Sequence, residues 1–369
     1  MGKKYNPKTK PFHHQVRGLK KLWRDGRGAL FWEPGTGKTK TALDFCGALY
    51  RHENIRRVLV IAPINALTVW PRQASLHLGV PYKMHIPEGV IAQKERYIAD
   101  LTEHLTEGSS ELLHIVVINY DITIKRDPQW GIMNVLEKFR PDVLILDESH
   151  KVKNATTKRA KAAHRLAQRV SHVVLMTGTP IANNYLDLYS QMKVIEPKIW
   201  EAGWSRTGIM TWTDFKNQYA KWGGRTGYEL RGYQNLDDLR QRYKPYVSTA
   251  RKRDCLDLPP TADVEIPVDM PDNAFKAFQI FGDEGIITYK GYLVEAPIPL
   301  TKLLRMRQMS GGWVQDEHGE TFQWQSAKLD VFKDWLQDMK DAERKVLVFA
   351  DFVPEMEAIV NVANTDLLI

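Results

Sequence analysis

Residues 31–40 read FWEPGTGKTK, and no other stretch limits the fold so tightly. A glycine-rich turn that ends in Lys-Thr binds phosphate only between a strand and a helix. Both flanks are present. Upstream, Ala29–Trp32 is an apolar run suited to a buried parallel strand. Downstream, Ala42, Leu43, Phe45, Cys46 and Leu49 share one helical stripe, which predicts a helix starting near Lys38. Gly35 and Gly37, on either side of Thr36, can turn successive N–H groups toward one anion at that helix N-terminus. Lys38 then reaches the outer phosphates, and the Thr39 hydroxyl can ligate magnesium. One position departs from the pattern G-x-x-x-x-G-K-[ST]: Trp32 stands where its first glycine belongs.

The chain of 369 residues has room for two domains, and 43% apolar with 26% charged residues fits a soluble globular protein. Lys and Arg exceed Asp and Glu by eight, which favours a polyanionic partner without identifying it. No apolar run approaches membrane-spanning length, and MGKKYNPKTK lacks the apolar core of a signal peptide. Cys46 and Cys255 lie too far apart in sequence for metal-ligand spacing, and a reducing cytoplasmic setting is expected.

Apolar runs at 56–63, 112–120, 141–150 and 171–180 each end in polar, Gly or Pro residues, and amphipathic segments lie between them. That alternation predicts an α/β fold with a doubly wound parallel sheet, whose ligands bind at the carboxyl ends of the strands. Asp147 and Glu148 close the run VLILDESH. There one carboxylate can hold magnesium through its water shell while its neighbour orients or deprotonates a water. From Ser149 to His172 stand seven basic residues, Lys151, Lys153, Lys158, Arg159, Lys161, Arg165 and Arg169, and no acid. Such a stretch is either a phosphate-contacting face or a solvated helix surface.

In order along the chain, EPGTGKT, VLVIAPINALTVWPRQ, IVVINYD, DESH and LMTGTPIANN resemble the first-lobe motifs of superfamily-two helicases. The nearer likeness is to the Swi/Snf-type ATPase branch. TGTPIANNYLDLYSQMKVIEP resembles its motif three and the helix that follows, LDLPPTADVEIPVDMP resembles the junction between its lobes, and LLRMRQMSGGW and SAKLDVFKDWLQDMKDAERKVLVFADF resemble the opening of its second lobe. The resemblance implies a RecA-like P-loop NTPase: a first lobe over 1–200, a helical insertion over 201–250, and a linker with an incomplete second RecA-like lobe over 251–369. It implies ATP and Mg²⁺, with catalytic roles for Lys38, Asp147 and Glu148 and metal contacts from Thr39 and Asp147. Gln15 would read the adenine edge, since its amide offers a donor and an acceptor. Thr177, Gly178 and Thr179 would couple hydrolysis to movement. Pro63, Asn119 and Tyr120 would join Lys151, Lys153, Lys158 and Arg159 on nucleic acid.

The activity so implied is that of an ATP-dependent motor on double-stranded DNA, compact as in bacterial or viral members. A strand-separating DNA or RNA helicase and an ATP-gated binding module without turnover are the alternatives. Trp200, Trp204, Trp212 and Trp222 are expected to pack the insertion, base stacking being the other reading. KVLVFADF is expected to form a strand followed by one helix, and the family's later motifs, which carry the arginines completing the ATP site, find no counterpart. The expectation is a truncated product, a split subunit completed by another polypeptide, or an incomplete sequence. An arginine finger contributes on the order of 10³ to 10⁵ in rate, so this chain alone should bind ATP but hydrolyse it poorly.

Overall fold

The computed structural model describes residues 5–107, 111–124, 131–181, 184–225, 227, 229–259 and 261–363. From the N-terminus, α1 (His13–Asp25) leads into β1 (Arg27–Trp32) and, across the glycine turn, α2 (Lys38–His52). β2 (Arg57–Ala62), α3 (Val69–His77), β3 (Tyr82–His85), α4 (Ile91–Glu107), β4 (Leu113–Asn119) and α5 (Ile132–Phe139) follow. Next come β5 (Val143–Asp147), α6 (Lys158–Ala167), β6 (His172–Thr177) and α7 (Leu188–Ile195). α8 (Trp212–Tyr219), β7 (Ala220–Gly223), β8 (Glu229–Tyr233), α9 (Leu236–Tyr243), β9 (Val247–Ala250) and α10 (Lys252–Cys255) complete a compact unit that ends at Pro259.

Seven strands form one sheet in the order β3-β4-β2-β5-β6-β1-β9. Every pairing in it is parallel. Helices cover both faces of such a sheet, which is why its strands read as continuous apolar runs. The period of two still sorts the side chains. Ala29, Phe31, Leu59, Ile61, Leu144 and Leu146 enter one core, while Leu30, Trp32, Val58, Val60, Val143 and Ile145 enter the other. Polar anchors fix the sheet at its amino ends. The Asp142 carboxylate accepts the N–H groups of Arg56 and Arg57, each at 2.8 Å. The Arg27 guanidinium donates to the carbonyls of Ile195, Val170 and Ala167.

Residues 201–250 differ from the expected helical insertion. They contain the antiparallel hairpin β7–β8, and they end in β9, which pairs with the edge of β1 and so belongs to the main sheet. Trp200 is fully buried against Tyr189 and Phe215, and Trp212 packs on the same cluster. Trp204 and Trp222 are exposed, so only half of the four tryptophans pack as expected.

The second unit runs from residue 260. It holds α11 (Asp272–Glu284), β10 (Ile286–Tyr289), β11 (Tyr292–Glu295), α12 (Pro299–Ser310), β12 (Trp313–Gln315), β13 (Thr321–Gln323), α13 (Lys328–Asp341) and α14 (Val353–Ala363). Two antiparallel hairpins, β10–β11 and β12–β13, surround a small core of Phe281, Tyr289, Met309 and Trp324. The expected strand in KVLVFADF is absent: residues 345–350 pair with no strand among the described residues. A hairpin carries its own partner, whereas a parallel strand must find its neighbours in distant segments. No described helix is long and apolar enough to cross a membrane.

Candidate nucleotide site and its carboxylates

The phosphate loop forms where β1 ends. Gly35 and Gly37 take φ of +81° and +87°, a region L side chains rarely adopt. Gly37 occupies the N-cap of α2 and offers no side-chain acceptor there, so the first-turn N–H groups are open to an anion. A Cβ on Gly37 would stand 2.2 Å from Gln15 Nε2, and its φ would strain any larger residue. Two side chains of α1 grip its crest. His14 Nε2 lies 2.8 Å from the Thr36 carbonyl, and Gln15 Nε2 donates to the same oxygen at 3.2 Å. Gln15 Oε1 accepts the Phe12 N–H at 3.0 Å, which leaves both ends of the buried amide engaged with the chain. Gln15, expected to read an adenine edge, is thus tied to the crest of the phosphate loop.

Lys38 Nζ donates to the Trp32 carbonyl at 3.0 Å and to that of Glu33 at 3.4 Å. Burial lowers its pKa, and the charges of Glu148 and Asp147 oppose that shift. Its ammonium thus lies within electrostatic reach of two carboxylates. Thr39 lies half-buried in the first turn of α2.

Asp147 and Glu148 close β5 at the carboxyl edge. Burial, with the charge of Glu148 adding to it, pushes Asp147 up to about 6. Trp70 Nε1 donates to Asp147 Oδ2 at 3.2 Å, and the Glu148 N–H donates to Oδ1 at 3.0 Å. Glu148 adopts φ +50°, a left-handed turn that throws its side chain across to β6. There Thr177 Oγ1 donates to Glu148 Oε2 at 3.1 Å and accepts the Thr179 N–H at 3.1 Å. His150 Nδ1 stands 3.1 Å from the same carboxylate oxygen and 3.0 Å from Thr177 Oγ1, and burial lowers its pKa. Glu148, His150, Thr177 and Thr179 thus form one network. Gly178 packs on the phosphate loop, since a Cβ there would lie 3.0 Å from Pro34 Cδ.

The residues fit a magnesium nucleotide. The loop supplies open N–H donors, Lys38 a cation, Thr39 a hydroxyl and Asp147 a half-buried carboxylate. No group of three or more His, Cys, Asp or Glu able to hold a metal occurs among the described residues. Magnesium suits that arrangement, because it is commonly held by one or two carboxylates, water and the phosphates themselves.

The expected nucleic-acid residues divide. Pro63 follows β2, Asn119 ends β4, and both lie at the carboxyl edge. Asn119 Oδ1 is buried with no hydrogen-bond partner among the described residues. Lys151 and Lys158 are exposed, Lys153 Nζ lies 3.5 Å from Asp187, and Arg159 pairs with Asp121. Tyr120 departs from expectation. It is 5% exposed and its hydroxyl donates to the Asp147 carbonyl at 2.8 Å, so it braces the carboxylate turn and offers no surface to a strand.

Sequence reasoning missed Trp70, His14 and Glu33. TVWPRQ gave no sign that an indole N–H would meet Asp147, because that contact depends on how α3 folds back over the sheet. A cavity of about 480 Å³ opens beside the loop, lined by Arg17, Glu33, Gly178, Thr249, Arg251 and Cys255. A larger one of about 610 Å³ lies within the second unit between Trp313, Trp324, Phe332 and Phe349. Arg307 in its wall is paired with Asp351, and no phosphate-binding turn borders it.

A parallel sheet with a glycine turn at one strand end and a carboxylate pair at another defines a RecA-like fold of the phosphate-loop type. Residues 14–310 match the SNF2-related domain, and the chain belongs to that family. It is 28% identical over 261 residues to the DNA excision repair protein ERCC-6-like of Danio rerio, covering 66% of this chain and 16% of that protein. It is 29% identical over 241 residues to Protein CHROMATIN REMODELING 24 of Arabidopsis thaliana, covering 63% and 20%. With the DNA annealing helicase and endonuclease ZRANB3 of Bos taurus it shares 25% identity, covering 69% and 22%. The chain therefore spans roughly a fifth of these curated relatives. Among solved structures, the Sulfolobus solfataricus SWI2/SNF2 ATPase core in complex with dsDNA matches with a TM-score of 0.53 at 19% identity, over 97% of this chain and 70% of that one.

Proposed function

We propose that this chain carries the nucleotide-binding lobe of an ATP-dependent motor that moves along double-stranded DNA. The observation that carries the reading is the link from Glu148 to Thr177: a carboxylate beside the phosphate loop is hydrogen-bonded to the strand end of the next motif. In this reading Lys38 and the loop N–H groups bind the outer phosphates, while Thr39 and Asp147 hold magnesium. Magnesium, when bound, offsets phosphate charge. Glu148 orients the attacking water, and His150 and Thr177 hold Glu148 in place. A change at the terminal phosphate then alters the Glu148–Thr177 contact, which is the route to Gly178 and Thr179. A relative named for DNA excision repair, another named a DNA annealing helicase and endonuclease, and a structural neighbour solved on dsDNA support duplex DNA as the track.

The test is phosphate release by the purified chain with duplex DNA, single-stranded DNA or RNA, paired with displacement of a third strand from a triplex. Stimulation by duplex, with displacement of the third strand and without separation of the duplex, is expected. Separated strands would favour a helicase. ATP-dependent DNA binding with no release above Glu148→Gln would favour a gated clamp.

A further inference from the structure

Beyond Lys38, a second lysine lies against the same turn. The Lys252 N–H donates to Glu33 Oε2 at 2.7 Å, the Glu33 N–H donates to the Ala250 carbonyl at 3.0 Å, and Trp32 Nε1 donates to Ser248 Oγ at 3.1 Å. Three hydrogen bonds thus fasten the β9–α10 segment to residues 32 and 33, where the phosphate loop begins. The fastening directs the Lys252 side chain. Its Cε lies 3.7 Å from the position a Cβ on Gly35 would take, so the aliphatic stem crosses the crown of the turn. The residue is exposed, and its ammonium has no ion pair or hydrogen bond among the described residues. Lys38 responds to it: burial is the main cause of its lowered pKa, and the charge of Lys252 pushes the same way.

Two cations held beside one another repel in the empty site, and a polyphosphate between them removes that repulsion. We propose that Lys252 is a second phosphate-binding cation, placed over the phosphate loop by Glu33. The inference rests on the nucleotide-site reading above and adds a ligand-binding residue to it. It also explains why Glu33 is turned away from the loop's interior: its carboxylate positions the backbone of Lys252 and accepts nothing from Lys38, which reaches only its carbonyl.

The experiment titrates Mg-ATP against the whole chain and against Lys38→Ala, Lys252→Ala, Lys252→Arg, Glu33→Ala and Arg253→Ala, by calorimetry at two salt concentrations. Lys252→Ala should weaken binding about five- to tenfold and flatten its salt dependence, as removal of one exposed charge-assisted contact does. Lys252→Arg should restore most of that loss, and Glu33→Ala should weaken binding in the same direction. Arg253, one residue on and paired with Asp254 at 3.6 Å, is the control for net charge. Its loss should change affinity by less than about twofold. Lys252→Ala binding like the wild type while Lys38→Ala fails to bind would overturn the role of Lys252 alone. Equal binding by Lys38→Ala and the wild type would overturn the nucleotide site and the inference with it.

Discussion

Two short, mainly apolar segments have opposite fates. GALFW in the first unit becomes β1, with Leu30 and Trp32 at 0% exposure. KVLVFA in the second pairs with nothing among the described residues and leaves Phe349 86% exposed. The difference is in the neighbours. β1 is bonded on both sides, by β6 and β9, and has a helical layer on each face. An apolar run states a preference for burial, and only strands supplied by distant parts of the chain can satisfy it.

The comparison can be broken first by core truncation. Trp200→Ala in the first unit should cost about 3–5 kcal/mol, and Trp324→Ala, stacked on Tyr289 in the second, should fall in the same range. Each should lower one calorimetric transition and leave the other in place; a single transition that shifts with both would mean the units unfold together. Next come the paired strands. Leu30→Ser should destabilise by about 3 kcal/mol or more, since it opens a cavity and buries a hydroxyl. Phe349→Ser should stay within about 0.5 kcal/mol, and a loss comparable to Leu30→Ser would show that Phe349 is buried in solution.

The smallest effect is one of pH. At the sheet edge His85 Nδ1 lies 2.7 Å from the Tyr97 hydroxyl, and Nε2 lies 3.0 Å from His114 Nδ1. Burial, with the charges of His114 and Lys83 adding to it, lowers His85 to about 4 from an ordinary 6.5. A histidine so shifted takes up its proton more readily when unfolded. Its stabilising contribution is therefore present above pH 6.5 and is lost as pH falls toward 4. The melting temperature of the first unit should fall through that window, and His85→Asn should flatten the fall. An unchanged slope in His85→Asn would place the titration elsewhere.

Much of the first unit was legible because buried parallel strands announce themselves. β1, β2, β4, β5 and β6 each carry a run of Val, Ile, Leu or aromatic residues, and the glycine turn marks the end of β1. β3 and β9 were not legible: YKMH and VSTA are four residues each, without an apolar run, and are strands because β4 and β1 present open edges to them. At the site, Lys38 opens α2 and Asp147 and Glu148 lie at the end of β5, as their spacing suggested, while Trp70 comes from a remote segment and reaches Asp147 only through folding. Tyr120 and Gln15 turn inward to brace the site. A motif specifies what a residue can do, while its neighbours decide which way it faces.

The most direct measurement is the binding isotherm of ATP, with and without Mg²⁺, for the intact chain and for Lys38→Ala. The account predicts saturable, magnesium-dependent binding that Lys38→Ala abolishes while both calorimetric transitions stay where they are. Binding that is equal in the two proteins, or indifferent to magnesium, would contradict it.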